Sequence, residues 1–247
     1  MHRRKITLCL HAIAVFAAIA IIMAALRPQD RAQALSDNNS YFPTTESTAT
    51  KPLDVKRRAK GKRYKIQPSP IVEAPSDQRP LPIISHWWRG LSALPVEQSD
   101  AIIKGEVTDA QAYLSEDKTG IYSEFTFKVC EVFKGYNYLA GPGQEIIADR
   151  LGGAVRFPSG KSQHYTIDGQ GMPRPGRQYV LFLRRNTEDE DFYIVTGYEL
   201  RSGSVNPLDE YASGDSTQLP FAVFKNAEEG AFLIALRDAL VNPTKTQ

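Results

Sequence analysis

The sequence predicts a mainly β fold with a C-terminal α-helix, preceded by an N-terminal transmembrane helix and a disordered linker. A 21-residue apolar run, Ile6 to Leu26, lies close to the N-terminus. Residues 27–98 are rich in Pro, Ser, Thr and charged residues and show no sustained hydrophobic period. From Ser99 onward, apolar runs of strand length alternate with turn signals until a helical pattern appears at the end of the chain.

The apolar run has the length of a membrane-spanning helix. At about 1.5 Å per residue, its 21 residues span about 31 Å, enough to cross the hydrocarbon layer. The three cations in residues 1–5 predict a cytoplasmic N-terminus and a C-terminal domain in the periplasm or outside the cell. A cleaved signal peptide ending near Ala32-Gln33-Ala34 is the alternative. We favour a single-pass anchor at residues 6–26, because the run is long for a signal peptide and charged residues separate it from that cleavage site.

Residues 27–98 are predicted to form a disordered, Pro-containing stalk. Seven prolines between Pro43 and Pro82 stiffen it locally, and a random coil of its 72 residues would span about 45 to 50 Å. The last part, residues 82–98, is more apolar. Its adjacent Trp87 and Trp88 favour a lead-in that covers one end of the domain over an exposed recognition patch.

A basic cluster interrupts the stalk at residues 56–65. One interpretation is contact with an anionic surface, either lipid headgroups or a cell-wall polymer. The other, which we favour because charge runs in disordered segments are common, is a solvated run or one that rests on the acidic body of its own chain. The cluster contains one tyrosine and seven candidate contact residues, Lys56, Arg57, Arg58, Lys60, Lys62, Arg63 and Lys65.

The charge of the body excludes one class of partner. Residues 99–247 contain fifteen Lys and Arg against twenty-one Asp and Glu, a net charge of −6. Nucleic-acid binding depends on neutralising phosphates with Lys and Arg across a folded face. The sequence therefore predicts no nucleic-acid partner.

The body, residues 99–247, is predicted to contain about eight short strands. Because the middle strands are joined by short loops, they are expected to pair antiparallel in a barrel or sandwich. Two of them form an apparent hairpin across "NTEDED". The predicted strand segments are 100–114, 121–133, 144–151, 154–157, 163–167, 177–185, 191–200 and 204–208.

The second strand, within "SEFTFKVCEVFKG", changes phase. Phe125, Phe127 and Val129 alternate on one face, but Val132 is out of step with them. An extra residue near Cys130 and Glu131 would restore the apolar face, so a β-bulge is predicted there. Cys130 itself is predicted to be a small buried hydrophobe. The glycine that ends the motif is expected to adopt a positive φ.

A terminal helix is predicted at about residues 227–241. Asn226 is the expected N-cap, with Glu229 three residues later as in a capping box. Apolar residues then recur at helical spacing, at Phe232, Leu233, Leu236 and Leu240.

The segments "SDAIIKGEVTDA", "SEFTFKVCEVFKG" and "PGRQYVLFL" together resemble a pattern in secreted or anchored bacterial proteins. The pattern is similar to OB-fold barrels of the netrin and tissue-inhibitor-of-metalloproteinase type, and covers residues 99–209. The resemblance implies a small antiparallel OB-like barrel followed by a helix. It does not extend to metalloprotease inhibition, because those inhibitors depend on disulfides and an N-terminal cysteine, whereas this body contains only Cys130.

Two nucleotide-binding motifs are incomplete. "PSGKS", residues 158–162, lacks the upstream glycine of a phosphate-binding loop, since residue 155 is valine, and it is interpreted as a hairpin turn. "GQGMPRPG", residues 169–176, has arginine where a dinucleotide motif has its third glycine, and it is interpreted as a rigid loop. No cofactor is predicted.

The body offers weak candidates for catalysis and for a metal. His164 is its one histidine, with Tyr165 and Asp168 close in sequence, but strand alternation would place His164 and Tyr165 on opposite faces. "EDED", residues 188–191, is interpreted as a solvated hairpin tip rather than a weak calcium site. No metal site is predicted.

The preferred function is a membrane-anchored, envelope-exposed, non-catalytic module of binding or scaffolding type. Residues 6–26 would insert into the bilayer, and loops 168–176 or 115–120 would present a protein-binding site, with residues 56–65 as a candidate contact for an anionic surface. One alternative is a secreted protein with a cleaved signal peptide that acts as a protein-binding or inhibitor-like module. Another is an enzyme with a site around His164.

Overall fold

The computed structural model describes residues 41–47, 55–64, 70–73, 87–135, 137, 139, 141–210 and 219–243. All of them belong to one compact unit, Tyr41–Gln247. The predicted cytoplasmic segment 1–5 and membrane segment 6–26 lie outside the described residues. Within the described ranges, no helix is long and apolar enough to cross a bilayer.

The prediction of a mainly β fold with a C-terminal helix is confirmed. The two α-helices of the described part are α1 (Val55–Arg63) and α2 (Glu229–Val241), and a short 3₁₀ helix covers Pro220–Phe224. Its strands are β1 (Thr44–Glu46), β2 (Ala101–Leu114), β3 (Ile121–Lys134), β4 (Glu145–Leu151), β5 (Gly153–Arg156), β6 (Ser162–Tyr165), β7 (Gln178–Arg185), β8 (Phe192–Arg201), β9 (Ser204–Pro207) and β10 (Ala227–Glu228).

The larger sheet has the strand order β10-β9-β8-β4-β3-β2-β7, and β8 also pairs with β7. The predicted β7–β8 hairpin is therefore confirmed. Within this sheet, β4 and β8 are parallel, and their pairing is limited to Ala148 with Phe192 and Asp149 with Tyr193. Because this contact is so short, the sheet is not a clean barrel. A smaller sheet has the order β1-β5-β6.

The predicted β-bulge in β3 is confirmed. Lys104 on β2 is opposite Glu131, whereas the next residue, Gly105, is opposite Val129, so Cys130 is the extra residue. Val129 and Val132 are both buried as a result. The prediction that Cys130 is buried is wrong, because the bulge leaves its side chain exposed.

Apolar side chains form two large clusters on either side of the strands. One contains Phe125, Phe127 and their neighbours from β2, β7 and β8. In the other, α2 packs on the opposite face of β7, β8 and β9. Trp87 and Trp88 are partly buried against this second cluster, which confirms the predicted lead-in for its described part, residues 87–98.

The terminal helix begins two residues later than predicted and has a different cap. Its N-cap is Glu228, whose carboxylate accepts a hydrogen bond from the Ala231 amide at 2.7 Å. The prediction of Asn226 as N-cap is wrong, because Asn226 has φ +62° and its amide donates to the Val205 carbonyl, which aligns β10 with β9.

The prediction that residues 27–98 are disordered is wrong for their described part. β1 pairs in parallel with β5. Helix α1 overlaps the predicted basic cluster, and the Ile71 amide donates to the Lys118 carbonyl at 2.8 Å. The physical reason is that cations of the basic segment form ion pairs with carboxylates of the body. Such long-range contacts cannot be predicted from the local sequence of the stalk.

Candidate functional site

Four carboxylates gather beside β4 and define what we call the acidic site: Glu124, Asp149, Asp189 and Asp191. Glu124 on β3 and Asp149 on β4 are direct cross-strand partners. Asp149 pairs with Tyr193 of β8, which brings the tip of the β7–β8 hairpin, with Asp189 and Asp191, to the same place. Asp149 is fully buried and Asp189 is 3 % exposed. Like charges placed opposite each other repel, so this arrangement needs cations.

Helix α1 supplies those cations. The Nζ atom of Lys60 lies 2.7 Å from Asp191 Oδ2 and 2.9 Å from Glu124 Oε1, and Lys60 is only 1 % exposed. One turn later, the guanidinium of Arg63 donates to Asp189 Oδ2 at 2.5 Å and lies 3.6 Å from Asp149 Oδ2. Two cations of the basic segment are thus enclosed by the four carboxylates.

Tyr64 completes the contact with aromatic and backbone packing. Its hydroxyl donates to Asp149 Oδ1, and its ring stacks on Tyr122 with centroids 5.1 Å apart. Its carbonyl lies against Gly120, where an added Cβ would be 1.9 Å from the Tyr64 oxygen. Loop 115–120, predicted as a possible partner-binding loop, therefore contacts the chain's own basic segment.

The electrostatics follow from burial. Burial raises the pKa of Asp149 to about 6, although Arg63, Tyr64 and Lys60 act to lower it. Burial alone would lower the pKa of Lys60, but hydrogen bonds and charge from Asp191 and Glu124 outweigh it and raise the pKa. Burial, reinforced by Asp149, also raises the pKa of Tyr64 well above its ordinary value. Lys60 and Tyr64 therefore keep their protons.

Helix α1 depends on this contact. Its nine residues, "VKRRAKGKR", include six cations, no acidic residue and an internal glycine. Such a short helix is marginal in water, and repulsion between like charges three or four residues apart weakens it further. We infer that the acidic site induces the helix rather than receiving a preformed one.

The structure divides the predicted anionic-surface contacts into two faces. Lys60 and Arg63 face the acidic site, which confirms for them the interpretation that the run rests on its own acidic body. Arg58 and Lys62 are exposed, whereas Lys56, although exposed, lies at the edge of the acidic site with its Nζ atom 3.5 Å from Asp191 Oδ1. The side chains of the other two, Arg57 and Lys65, lie outside the described part of the chain.

The interpretation of residues 188–191 as a solvated tip is wrong for Asp189 and Asp191. Asp189 is buried against Arg63, and Asp191 binds Lys60. Among the described residues, no group of three or more His, Cys, Asp or Glu side chains is arranged to hold a metal ion.

The catalytic candidates are not brought together. His164 is exposed on β6 with its ring edge on Phe42, at a centroid distance of 5.0 Å. Tyr165 and Asp168 are 7 % and 4 % exposed. Since alternation places His164 and Tyr165 on opposite faces of β6, these residues do not form a common site.

The two incomplete nucleotide motifs are structural. The Gly160 amide donates to the Phe157 carbonyl at 2.8 Å in the turn between β5 and β6, which confirms the predicted hairpin at residues 158–162. Loop 169–176 is fastened by a buried ion pair. Arg150 and Asp209 form two parallel hydrogen bonds of 2.9 and 2.7 Å, and the Gly171 amide donates to Asp209 at 2.8 Å.

A cavity of about 320 Å³ adjoins the acidic site at the β4–β8 seam, where the two strands separate beyond Asp149 and Tyr193. We call it the seam cavity. Neither the cavity nor the acidic site was predicted. The sequence signal for the acidic site was the opposite charge of residues 56–65 and 188–191. The residues that line the cavity are Tyr64, Trp87, Leu91, Gln98, Asp149, Arg150, Leu151, Ile167, Gln170, Arg184, Tyr193, Ile194 and Val195.

In comparisons with known proteins, no family model, no curated protein and no solved structure matches this chain.

Proposed function

We propose that the β domain is a non-catalytic binding module whose acidic site recognises a basic helical segment, with residues 55–64 as the ligand from its own chain. We further propose that residues 6–26 anchor the module in a membrane with the domain on the periplasmic or extracellular side. The observation that carries the proposal is the enclosure of Lys60 by three carboxylates at one end of the sheet.

The chemistry of the contact supports recognition rather than stabilisation alone. A buried ion pair often adds little stability compared with a well-packed apolar pair, whereas it imposes strict requirements on charge and geometry. Here the requirements are an ammonium at Lys60, a guanidinium three residues later and a phenol directly after it. A partner protein with the same spacing on a basic helix would meet them.

The fit of the chain's own segment also supports exchange with another ligand. The Nε and one terminal nitrogen of Arg63 are buried without a hydrogen-bond partner among the described residues. Buried donors without partners are costly. A better-matched basic segment would therefore be able to compete for the site.

The outward face of α1 supports contact with an anionic envelope surface. Arg58 and Lys62 are exposed on the face that points away from the acidic site, while Lys60 and Arg63 are engaged. Cations near an anionic membrane contribute about 1 kcal/mol each. The docked segment would then connect the domain with the surface.

We also propose that the body is an OB-like barrel of the kind that the sequence resemblance implies. The ring of pairings β7-β2-β3-β4-β8-β7, with β4 and β8 parallel, supports this interpretation. Mass spectrometry of the mature protein tests the anchor. An intact N-terminal peptide is expected, whereas a new terminus near Leu35 would show that the segment is removed.

The recognition proposal is tested with the full chain in mild detergent and a fluorescent peptide of residues 51–70. In a K60A/R63A/Y64A variant the chain's own segment no longer occupies the site, so the peptide is expected to bind. Wild type should bind it weakly, because its site is occupied. Adding D189N and D191N to the variant should remove binding.

The matched control is R58A/K62A, which removes two cations from the exposed face. It should behave as wild type. Circular dichroism verifies that each variant retains its sheet. If the folded K60A/R63A/Y64A variant binds no more peptide than R58A/K62A does, the acidic site does not recognise basic segments in trans.

A further inference from the structure

We propose that the seam cavity binds a small ligand that combines an apolar or aromatic body with a carboxylate. This inference goes beyond the recognition of a basic segment and does not rest on it. The cavity volume, about 320 Å³, lies at the lower end of the range of roughly 300 to 1,000 Å³ for small-molecule sites. It would fit a ligand of about the size of a single aromatic acid.

The location of the cavity follows from the sheet. Beyond the pair Asp149 and Tyr193, the described strands β4 and β8 make no further ladder pairs. Arg150 crosses the gap and donates to the Val195 carbonyl at 3.3 Å. The opening between two strands that separate gives access to side chains that a continuous sheet would cover.

The walls of the cavity are mostly apolar. The ring of Trp87 is fixed in place, because its Nε1 donates to the Asp168 carbonyl at 3.0 Å and the guanidinium of Arg150 lies 5.4 Å from its centre. A flat, fixed aromatic wall favours an aromatic or apolar ligand body. The apolar lining residues are Trp87, Leu91, Leu151, Ile167, Ile194 and Val195.

The polar groups of the lining are mainly donors that lack partners. Arg150 is 2 % exposed, and its Nε has no hydrogen-bond partner within the described residues. The side chains of Gln98, Gln170, Arg184 and Tyr193 also have none in the described part of the chain. A carboxylate accepts several hydrogen bonds at once and is the group that such a set of donors fits.

The charge of the lining favours an anion as well. Its one carboxylate among the described lining residues, Asp149, already accepts from Tyr64 and lies beside Arg63. The charge of Arg150 is matched by Asp209. Arg184 is exposed, so it lies at the mouth, and it has no ion-pair partner among the residues described. The uncompensated charge at the entrance is therefore positive.

The test uses phenylacetate and its neutral analogue phenylacetamide, titrated calorimetrically into the full chain in mild detergent. Phenylacetate is expected to bind and to change the fluorescence of Trp87. Phenylacetamide is expected to bind at least about tenfold more weakly, because it lacks the negative charge. Arg184→Gln should weaken phenylacetate binding about tenfold. Arg185→Gln removes a neighbouring cation outside the cavity and should leave binding unchanged.

Three results would overturn the proposal. The first is no binding of phenylacetate at millimolar concentration to a folded wild-type chain. The second is equal affinity for acid and amide, which would exclude a carboxylate site. The third is an equal effect of Arg184→Gln and Arg185→Gln, which would place binding elsewhere. Because both arginines are outside the core clusters, neither variant is expected to unfold the domain.

Discussion

Replacing Lys60 with methionine is the sharpest test of how α1 is held. The Nζ atom of Lys60 lies 2.7 Å from Asp191, 2.9 Å from Glu124 and 3.7 Å from Asp149, and the residue is 1 % exposed. Methionine keeps the length and the helix propensity of the side chain but leaves three carboxylates without their shared cation. Breaking a buried ion pair in this way costs about 3 to 5 kcal/mol.

The cost is expected to appear as local opening rather than as global unfolding, because α1 can leave while the sheet persists. Amide hydrogen exchange of residues 56–64 measures that opening. Since about 1.4 kcal/mol corresponds to a factor of ten, exchange in Lys60→Met should be faster by about 100-fold or more. Most of the backbone amides of β3 and β7 should keep their wild-type rates.

Lys62→Met is the matched control. Lys62 is two residues away on the same helix and exposed, so its replacement should change the free energy of opening by about 0.5 kcal/mol or less. Similar exchange rates in the two variants would show that the ion pairs of Lys60 do not hold α1. Exchange in Lys60→Met that remains as slow as in wild type would show the same.

Three further results are expected. Burial raises the pKa of Asp149 to about 6 in the folded protein, against 3.8 ordinarily, so folding takes up a proton at this carboxyl between these two values. The free energy of unfolding in urea should therefore rise as the pH falls from 7 to 5, and Asp149→Asn should reduce that pH dependence. Gly120→Ala places a Cβ 1.9 Å from the Tyr64 carbonyl, so it should open α1 in the same exchange assay. Asp209→Asn disrupts the buried pair with Arg150 and should reduce the free energy of unfolding in urea by about 3 kcal/mol or more.

Each of these expectations has an outcome that contradicts it. A free energy of unfolding that falls on acidification from pH 7 to 5 would mean that Asp149 is not the dominant titrating group. Wild-type exchange in Gly120→Ala would mean that the Tyr64 carbonyl can move without releasing the helix. A loss below about 1 kcal/mol in Asp209→Asn would show that Arg150 finds other acceptors.

Local patterns were enough to predict most of the strands and even the irregularity within β3. The phase slip after Val129 indicated an extra residue, and the register of Gly105 and Lys104 locates it at Cys130. The same reasoning did not predict that Cys130 is exposed, because a bulge residue does not follow the two-residue alternation from which burial in a strand is predicted. The prediction of Asn226 as the N-cap of α2 was wrong because Asn226 lies in the turn that aligns β9 and β10.

The acidic site was beyond local reasoning for a different reason. Its members come from three separate segments, and Glu124 and Asp149 are neighbours only because β3 and β4 pair. Each carboxylate in isolation fits a solvated surface residue. Only the complementary charge of residues 56–65 and the acidic body pointed toward their contact, and charge alone does not specify which carboxylates take part.

The choice of charged rather than apolar groups at this contact has a physical consequence. Asp149 and Glu124 lie opposite each other on adjacent strands, an arrangement that destabilises the sheet unless a cation lies between them. Apolar residues at these positions would hold a helix without that cost, but they would hold it under all conditions. With buried charges, the same helix is held by a contact that responds to pH, to salt and to competing cations. Permanent attachment of α1 does not require such a site, and for this reason we propose that the site serves the reversible recognition of a basic segment.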